Sequence, residues 1–289
     1  MTPKQLVSEV ANLVALPDIC LKVGEMAEDP LCSAIEMAQT ISQDPALTAK
    51  LLKIANSPFY GFPSRVETIS RAISIVGTRE LKELVIAASV IAMFTEMPHE
   101  DVLDIERFWH HSIMTGLISR HLGSKIKTPV LHKERLFVAG LLHDVGRLVM
   151  AMKIPELVRV MLERSAKGKE PLNEIERLVF NMDHGEVGEE LMKLWNLPNS
   201  LSEVARFHHQ PELADDYVLE TAIIHIASGY ATMNDFSTLP SDERDTQVDS
   251  FAWEITGLEE MTIFNAINDS ITDFSGVLAS FLEPSSQQI

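Results

Sequence analysis

The chain has 289 residues, of which 46% are hydrophobic, so it can bury a substantial core in one large domain or two smaller ones. Its 42 acidic residues outnumber the 24 basic ones and give a formal net charge of −18. A field of that sign repels phosphate backbones and anionic membrane surfaces. We therefore expect neither nucleic acid nor a membrane as a partner.

The cysteines and the N-terminus indicate where the protein works. Cys20 and Cys32 form no CxxC pattern and cannot build a disulfide framework, which fits a reducing compartment. The opening MTPKQLVSEV lacks the charged and apolar regions of a signal peptide, and the longest apolar run, 81–94, contains Lys82 and Glu83. The sequence predicts a cytoplasmic protein.

Helical periodicity dominates the first hundred residues, and no segment alternates convincingly with a period of two. Ser33 and Glu36 have the capping-box spacing and predict a helix that ends before Asp44-Pro45. Further apolar stripes predict helices over 47–55, 67–76 and 81–94. The short acidic segment 97–104 is the predicted domain boundary.

The second half repeats the helical pattern. Helices are predicted over 108–122, 133–152, 185–195 and 253–282. Another is predicted to run from a capping box of Ser200 and Glu203 to His209. The stretch 234–250 lacks apolar periodicity and is predicted to be a solvated loop.

Six potential metal ligands lie along these helical segments: His111, His143, Asp144, His184, His208 and His209. Imidazole and carboxylate groups that converge from several helices are how a helical bundle holds a transition metal. A single histidine in an apolar helix is more often a hydrogen-bonded core residue. The pair His143-Asp144, however, brings two polar groups into an apolar segment together, and one metal ion would satisfy both.

Several residues near these ligands have two readings. Arg147 follows His143 by one turn and could clamp a phosphoryl oxygen or pair with a carboxylate such as Glu106. His208 and His209 would point about 100° apart on a straight helix, so either could support the site without binding the ion. His225, in the apolar run IIHIAS, could be a ligand or a core residue. No GxSxG, Walker or GxGxxG motif occurs, which leaves a metal-activated water as the only nucleophile.

Two sequence blocks, DPALTAKLLKIANS and GLLHDVGRL, together with DHGEVGEELMKLW and ARFHHQPE, closely resemble the HDOD domain, the HD-related output domain. The resemblance covers nearly all of the chain. It implies an all-α relative of the HD superfamily of metal-dependent phosphohydrolases that acts as a bacterial signalling or regulatory module. We therefore expect an N-terminal helical subdomain, residues 1–100, packed on an HD-like metal-binding bundle, 101–233, followed by a loop and C-terminal helices, 234–289.

The resemblance also suggests a ligand order. The related HD-GYP phosphodiesterases, which cleave cyclic di-GMP, use His, His-Asp, His, His-His and Asp. Matched by motif, these positions are His111, His143 with Asp144, His184, and His208 with His209. The closing aspartate falls at Ser228, and Arg147 stands where HD-GYP proteins have a lysine.

These departures imply two unequal metal sites. Asp144 would bridge two ions, one held also by His184, His208 and His209. The other keeps only His111 and His143, because the hydroxyl of Ser228 is a weak ligand compared with a carboxylate. The expected cofactor is iron, manganese, nickel or zinc, with one well-held site and a weaker second one. Losing one ion argues against hydrolysis of cyclic di-GMP.

Two functions stay open. The first is a signalling module whose metal pocket senses or transmits with little or no catalysis, and whose N-terminal subdomain binds a signalling protein. The second is an active metal-dependent phosphohydrolase acting on a nucleotide or phosphoester, with Asp144 among the metal ligands and Arg147 holding phosphate. In either, a positively charged metal pocket could accept a small phosphate anion. A metal-free scaffold is the third possibility.

Overall fold

The computed structural model describes residues 1–58, 60–96, 102–126, 128, 131–168, 170–234, 236 and 248–282. Every regular element in these ranges is helical, which confirms the all-α prediction. The chain divides into two compact units: a larger unit of Met1–Ala15 and Pro98–Ile271, and a smaller unit of Leu16–Met97 and Thr272–Ile289. The three-part division predicted above stays a prediction.

The first six helices are α1 (Pro3–Val10), α2 (Asp18–Glu28), α3 (Ala34–Ile41), α4 (Pro45–Ala55), α5 (Ile69–Val76) and α6 (Thr78–Glu96). The first of them belongs to the larger unit and the other five to the smaller one. The predicted capping box of Ser33 and Glu36 is confirmed at the start of α3. The α5 helix begins after its N-cap Thr68, and Gly77, at φ 106°, separates it from α6.

The motif DPALTAKLLKIANS forms α4 and the turn after it, and its polar residues tie the smaller unit together. Lys50 Nζ donates to the carbonyl of Ala88, and Lys53 Nζ donates to the carbonyl of Ala279. The Asn56 amide pairs with the backbone of Val66 in both directions, accepting at 2.7 Å and donating at 2.8 Å. The specific residues of this motif therefore hold a loop and neighbouring helices in place.

The later helices run in chain order as α7 (Ile105–Gly123), α8 (Lys133–Leu142), α9 (Val145–Lys153), α10 (Pro155–Gly168), α11 (Leu172–Phe180), α12 (His184–Leu194), α13 (Asn199–Phe207), α14 (Val218–Met233), α15 (Ser250–Thr256) and α16 (Glu260–Leu282). A short 3-10 helix, Pro211–Leu213, follows α13. The core of the larger unit is built where α7 lies against α8 and α14, and α12 against α9 and α13.

Two helices predicted as continuous are broken. The predicted helix over 133–152 stops at Leu142 and restarts at Val145, with His143-Asp144 in the turn between α8 and α9. The predicted helix over 253–282 is interrupted because Gly257 adopts a left-handed conformation, φ 60°, at the end of α15. Apolar periodicity continues through both breaks, so it could not reveal them.

The capping box predicted for Ser200 and Glu203 is wrong. The α13 helix begins directly after Pro198, and no side chain caps it. The Glu203 carboxylate instead accepts the backbone N–H groups of Asp215 and Tyr217, each at 2.8 Å. The predicted loop 234–250 lies largely outside the described residues, since only 234, 236 and 248–250 are placed.

Helix length and polarity also bear on membranes. Within the described ranges, none of the helices combines the length and the apolar character that crossing a bilayer requires.

Gly146 in α9 gives a test of helix contact in the larger unit. A Cβ added there would lie 2.7 Å from the backbone nitrogen of Gly188 and would collide with the backbone of His184. We expect Gly146→Ala to lower the free energy of unfolding in urea by about 1–3 kcal/mol or more, because α9 and α12 must separate.

The matched control is Gly24→Ala in α2, where a Cβ meets nothing within 4 Å. There the change should be neutral or stabilise by about 0.5–1 kcal/mol. Equal effects of the two substitutions would contradict the close α9–α12 contact.

Candidate metal centre

All six predicted ligands lie in the larger unit, and five of them occupy helix ends. His143 and Asp144 lie in the α8–α9 turn, and His184 is the first residue of α12. The pair His208-His209 follows the last residue of α13. His111 alone comes from a helix interior, in α7. The ends of α8, α12 and α13 therefore meet around one point.

The ligand atoms form two groups that share Asp144. Those of Asp144, His184, His208 and His209 lie within 4.8 Å of one another, and so do those of His111, His143 and Asp144. One carboxylate oxygen, Oδ1, lies 3.1 Å from His184 Nε2 and 3.5 Å from His208 Nε2. The other, Oδ2, lies 3.5 Å from His143 Nε2 and 3.9 Å from His111 Nε2. Each oxygen thus faces one group, which is the arrangement of a bridging carboxylate.

Backbone carbonyls fix the tautomers of three histidines. Nδ1 lies within hydrogen-bond distance of a carbonyl in each: 2.7 Å to Phe236 for His111, 2.6 Å to Gly140 for His143, and 2.7 Å to Ala205 for His208. A carbonyl only accepts, so each Nδ1 carries a proton, and in the neutral ring each Nε2 keeps its lone pair. This is the orientation in which metal-binding histidines are held.

The spacing of the ring nitrogens fits a metal ion. The Nε2 atoms of His184 and His209 are 3.0 Å apart, those of His184 and His208 are 3.4 Å apart, and those of His111 and His143 are 3.4 Å apart. Nitrogen ligands about 2.1 Å from one ion are roughly 3.0–3.4 Å from each other at octahedral or tetrahedral angles. Both oxygens of Asp144 are buried without a hydrogen bond of good geometry. A cation would satisfy these groups together.

Electrostatics keeps the carboxylate charged and one histidine neutral. Burial alone would raise the pKa of Asp144, but Arg147 and the surrounding histidines together outweigh it and hold that pKa well below its usual range. Burial holds the pKa of His143 well below its usual value. Both groups therefore stay in the forms that bind metal.

His184 differs because of a buried acid. Glu176, in α11, accepts from the backbone N–H of His184 at 2.9 Å and from its Nδ1 at 2.6 Å. Burial lowers the pKa of His184, but Glu176 and Asp144 together more than offset it, and the pKa rises to about 10. Without metal, His184 is therefore protonated, and metal binding must displace its Nε2 proton. Glu176 was not identified from the sequence, although an acidic residue on the apolar side of an amphipathic helix could have indicated a buried functional group.

Arg147 lies beside a carboxylate, but that of Asp144 rather than Glu106, and its role toward phosphate stays a prediction. Its Nη1 lies 3.3 Å from Asp144 Oδ2, and the side chain is only 6% exposed. Glu106 instead lies 3.7 Å from His110. Arg147 thus balances the charge of Asp144 in this structure.

The structure also places Ser228 and His225 near the ligand groups. Ser228 Oγ lies 3.3 Å from His111 Nε2 and 3.4 Å from His143 Nε2, where the resemblance placed the missing aspartate. His225 lies outside both ligand groups and contacts the backbone carbonyl of His208 at 2.7 Å. A hydroxyl therefore lies beside the smaller group.

Comparison with known proteins identifies the family. The HDOD domain family model matches residues 13–211. The chain belongs to the HDOD family. This confirms the resemblance drawn from the motifs.

The chain is also similar to several individual proteins. It is 27% identical over 213 residues to an uncharacterised protein of Treponema pallidum (strain Nichols), covering 73% of this chain but only 40% of that relative's length. The crystal structure of an HDOD domain protein of unknown function from Geobacter sulfurreducens matches with a TM-score of 0.77 and 24% identity, covering 96% of this chain and 98% of that one. A "Putative metal-dependent phosphohydrolase" from Shewanella amazonensis SB2B matches at 0.66 and 20%, covering 97% and 100%. At these identities the two structures establish the shared fold.

Glu176 offers a direct test of how His184 is oriented. We expect Glu176→Gln to weaken metal binding about 10- to 100-fold, because the neutral amide no longer holds the Nδ1 proton as strongly. The dissociation constant is measured by competition with a chromophoric chelator. Glu174→Gln, an exposed substitution on the same helix, is the control and should leave it unchanged. Equal affinities of the two variants would contradict a role for Glu176.

Proposed function

We propose that this protein is an HDOD signalling or regulatory module whose HD-type pocket binds a transition metal and has little or no catalytic activity. One observation carries the proposal. Five imidazoles converge on the shared carboxylate of Asp144, yet the smaller ligand group ends in the hydroxyl of Ser228.

The two ligand groups support one strong site and one weak site. The larger group offers a carboxylate and three imidazoles, a donor set that suits iron, manganese, nickel or zinc. The smaller group offers two imidazoles, the shared carboxylate and a neutral hydroxyl, which binds a divalent ion less tightly. When bound, such an ion supplies positive charge and Lewis acidity to the pocket.

Low phosphohydrolase activity follows from the positive charge that a weakly held second ion would not supply. Phosphoryl transfer depends on positive groups that stabilise the charge on the phosphoryl oxygens. Here a second ion would be weakly held, and Arg147 faces Asp144. A small phosphate anion would therefore bind as a ligand of the strong site.

A signalling role also requires a partner. We propose that another signalling protein binds the N-terminal helical half, and that the protein acts in the cytoplasm. The family resemblance supports the first proposal. The second is supported by Cys20 and Cys32, which are both free thiols.

The alternative function is an active metal-dependent phosphohydrolase. The complete larger group favours it, as does the name of the Shewanella amazonensis structure. In that case Asp144 and the histidines would hold the ion and Arg147 would have to turn from Asp144 to the phosphate.

Metal content and turnover together distinguish these functions. The protein is purified anaerobically, analysed for metals, and incubated with nucleotides, cyclic dinucleotides and a generic phosphoester in the presence of Mn²⁺ or Fe²⁺. We expect close to one tightly bound transition ion per chain and no turnover. Asp144→Asn should lose the metal, and so should His209→Ala, which removes a half-buried ligand with less effect on folding.

His110→Asn is the matched control, since His110 neighbours His111 in sequence but lies outside both groups. It should keep the metal. Turnover that Asp144→Ala abolishes would replace the proposal with the phosphohydrolase. Negligible metal in the anaerobic wild type would leave only the metal-free scaffold.

Ser228 allows the weak site to be strengthened. We expect Ser228→Asp to raise the bound metal toward about two ions per chain, because a carboxylate completes the group of His111 and His143. Equilibrium dialysis followed by elemental analysis measures the stoichiometry. Ser228→Asn, a neutral side chain of the same size, should leave it unchanged. Equal stoichiometry in both variants would show that the hydroxyl is not what weakens this site.

A further inference from the structure

His225 lies one turn before Ser228 on α14 and is half-buried. One ring nitrogen, Nδ1, is 2.7 Å from the backbone carbonyl of His208. The other, Nε2, is 2.9 Å from the backbone nitrogen of Asp249, the N-cap of α15. The ring therefore joins the end of α13 to the start of α15.

The two contacts fix the tautomer of this ring. A backbone N–H can only donate, so His225 Nε2 accepts from Asp249 and carries no proton. The remaining proton must be on Nδ1, which donates it to the His208 carbonyl. Because Asp249, at the start of α15, donates to Nε2, the other ring nitrogen of His225 is the one that donates toward the candidate metal centre.

The His208 carbonyl lies at a helix end and needs a hydrogen-bond donor from outside the helix. Helix α13 ends at Phe207, and carbonyls at a helix end have no helical amide to bind them. The peptide that begins with this carbonyl joins His208 to His209. His208 keeps helical dihedral angles, φ −60° and ψ −19°, so the two side chains leave the backbone about 100° apart, yet both reach the same ligand group. A rotation of this peptide would therefore move one or both imidazoles away from Asp144.

We propose that His225 is a positioning residue that holds the His208–His209 peptide so that both imidazoles reach one metal ion. The inference rests on the proposed metal-binding function and adds a residue that binds no metal itself. It also links the larger ligand group to α15, since the same ring binds the N-cap of that helix.

Two amide substitutions separate the two contacts of the ring. Asn places an N–H donor close to the position of Nδ1, and Gln places an acceptor close to the position of Nε2. His225→Asn should keep the bond to the His208 carbonyl, with Zn²⁺ affinity within about threefold of wild type. His225→Gln should keep only the Asp249 contact and weaken Zn²⁺ binding about 10- to 100-fold. Competition with a chromophoric chelator measures both.

A second measurement requires no metal. In ¹⁵N-histidine-labelled metal-free protein, long-range NMR correlations report the tautomer of His208, which the structure sets as Nδ1–H. That signal should persist in His225→Asn and should shift or broaden in His225→Gln. His110→Asn controls for loss of any half-buried histidine.

The outcomes distinguish the proposed metal binding from the positioning role of His225. If the wild type binds none of Zn²⁺, Mn²⁺, Ni²⁺ and Fe²⁺, the proposed function fails, and the NMR comparison still decides the role of His225. If both variants lose affinity and the His208 signal equally, His225 is a structural residue and the positioning role is overturned. If neither variant changes either readout, it is overturned as well.

Discussion

The buried carboxylate of Asp144 is the constraint on which the larger unit depends. A carboxylate that is 1% exposed is costly unless positive groups surround it. Here Arg147 and four imidazoles lie within 4 Å of its two oxygens. The helices that carry these groups must therefore meet around Asp144, and the fold of the larger unit brings them there.

A second layer of contacts sets the direction of four of the five rings. Three carbonyls and one buried glutamate hold the ring nitrogens that face away from Asp144, and His225 contacts the backbone carbonyl of His208. Most of these partners are backbone carbonyls, which every residue has. The residue types at those positions therefore do not indicate that they orient a histidine. The site consequently depends on where α7, α8 and α13 run, and on Phe236 beyond the end of α14, as much as on its six named side chains.

The sequence predicted the helical class, many helix ends and the six residues that the fold brings together, because each has a local signature. Apolar periodicity, the capping box at Ser33 and the adjacent His143-Asp144 pair need no knowledge of distant residues. The break between α8 and α9 was missed because apolar residues continue on both sides of it. Glu176 and the partner of Arg147 were missed because both depend on contacts that only the folded chain creates.

The location of ligands at helix ends has a consequence for exchange of the ion. Fraying normally starts at helix ends, where amides and carbonyls have fewest partners. His184 starts one helix and His208 follows another, so brief local unfolding of a single turn would remove a ligand without unfolding the rest of either helix. Release of an ion from such a pocket would then be limited by the rate of that local unfolding, and the ion could exchange while the rest of the protein stays folded.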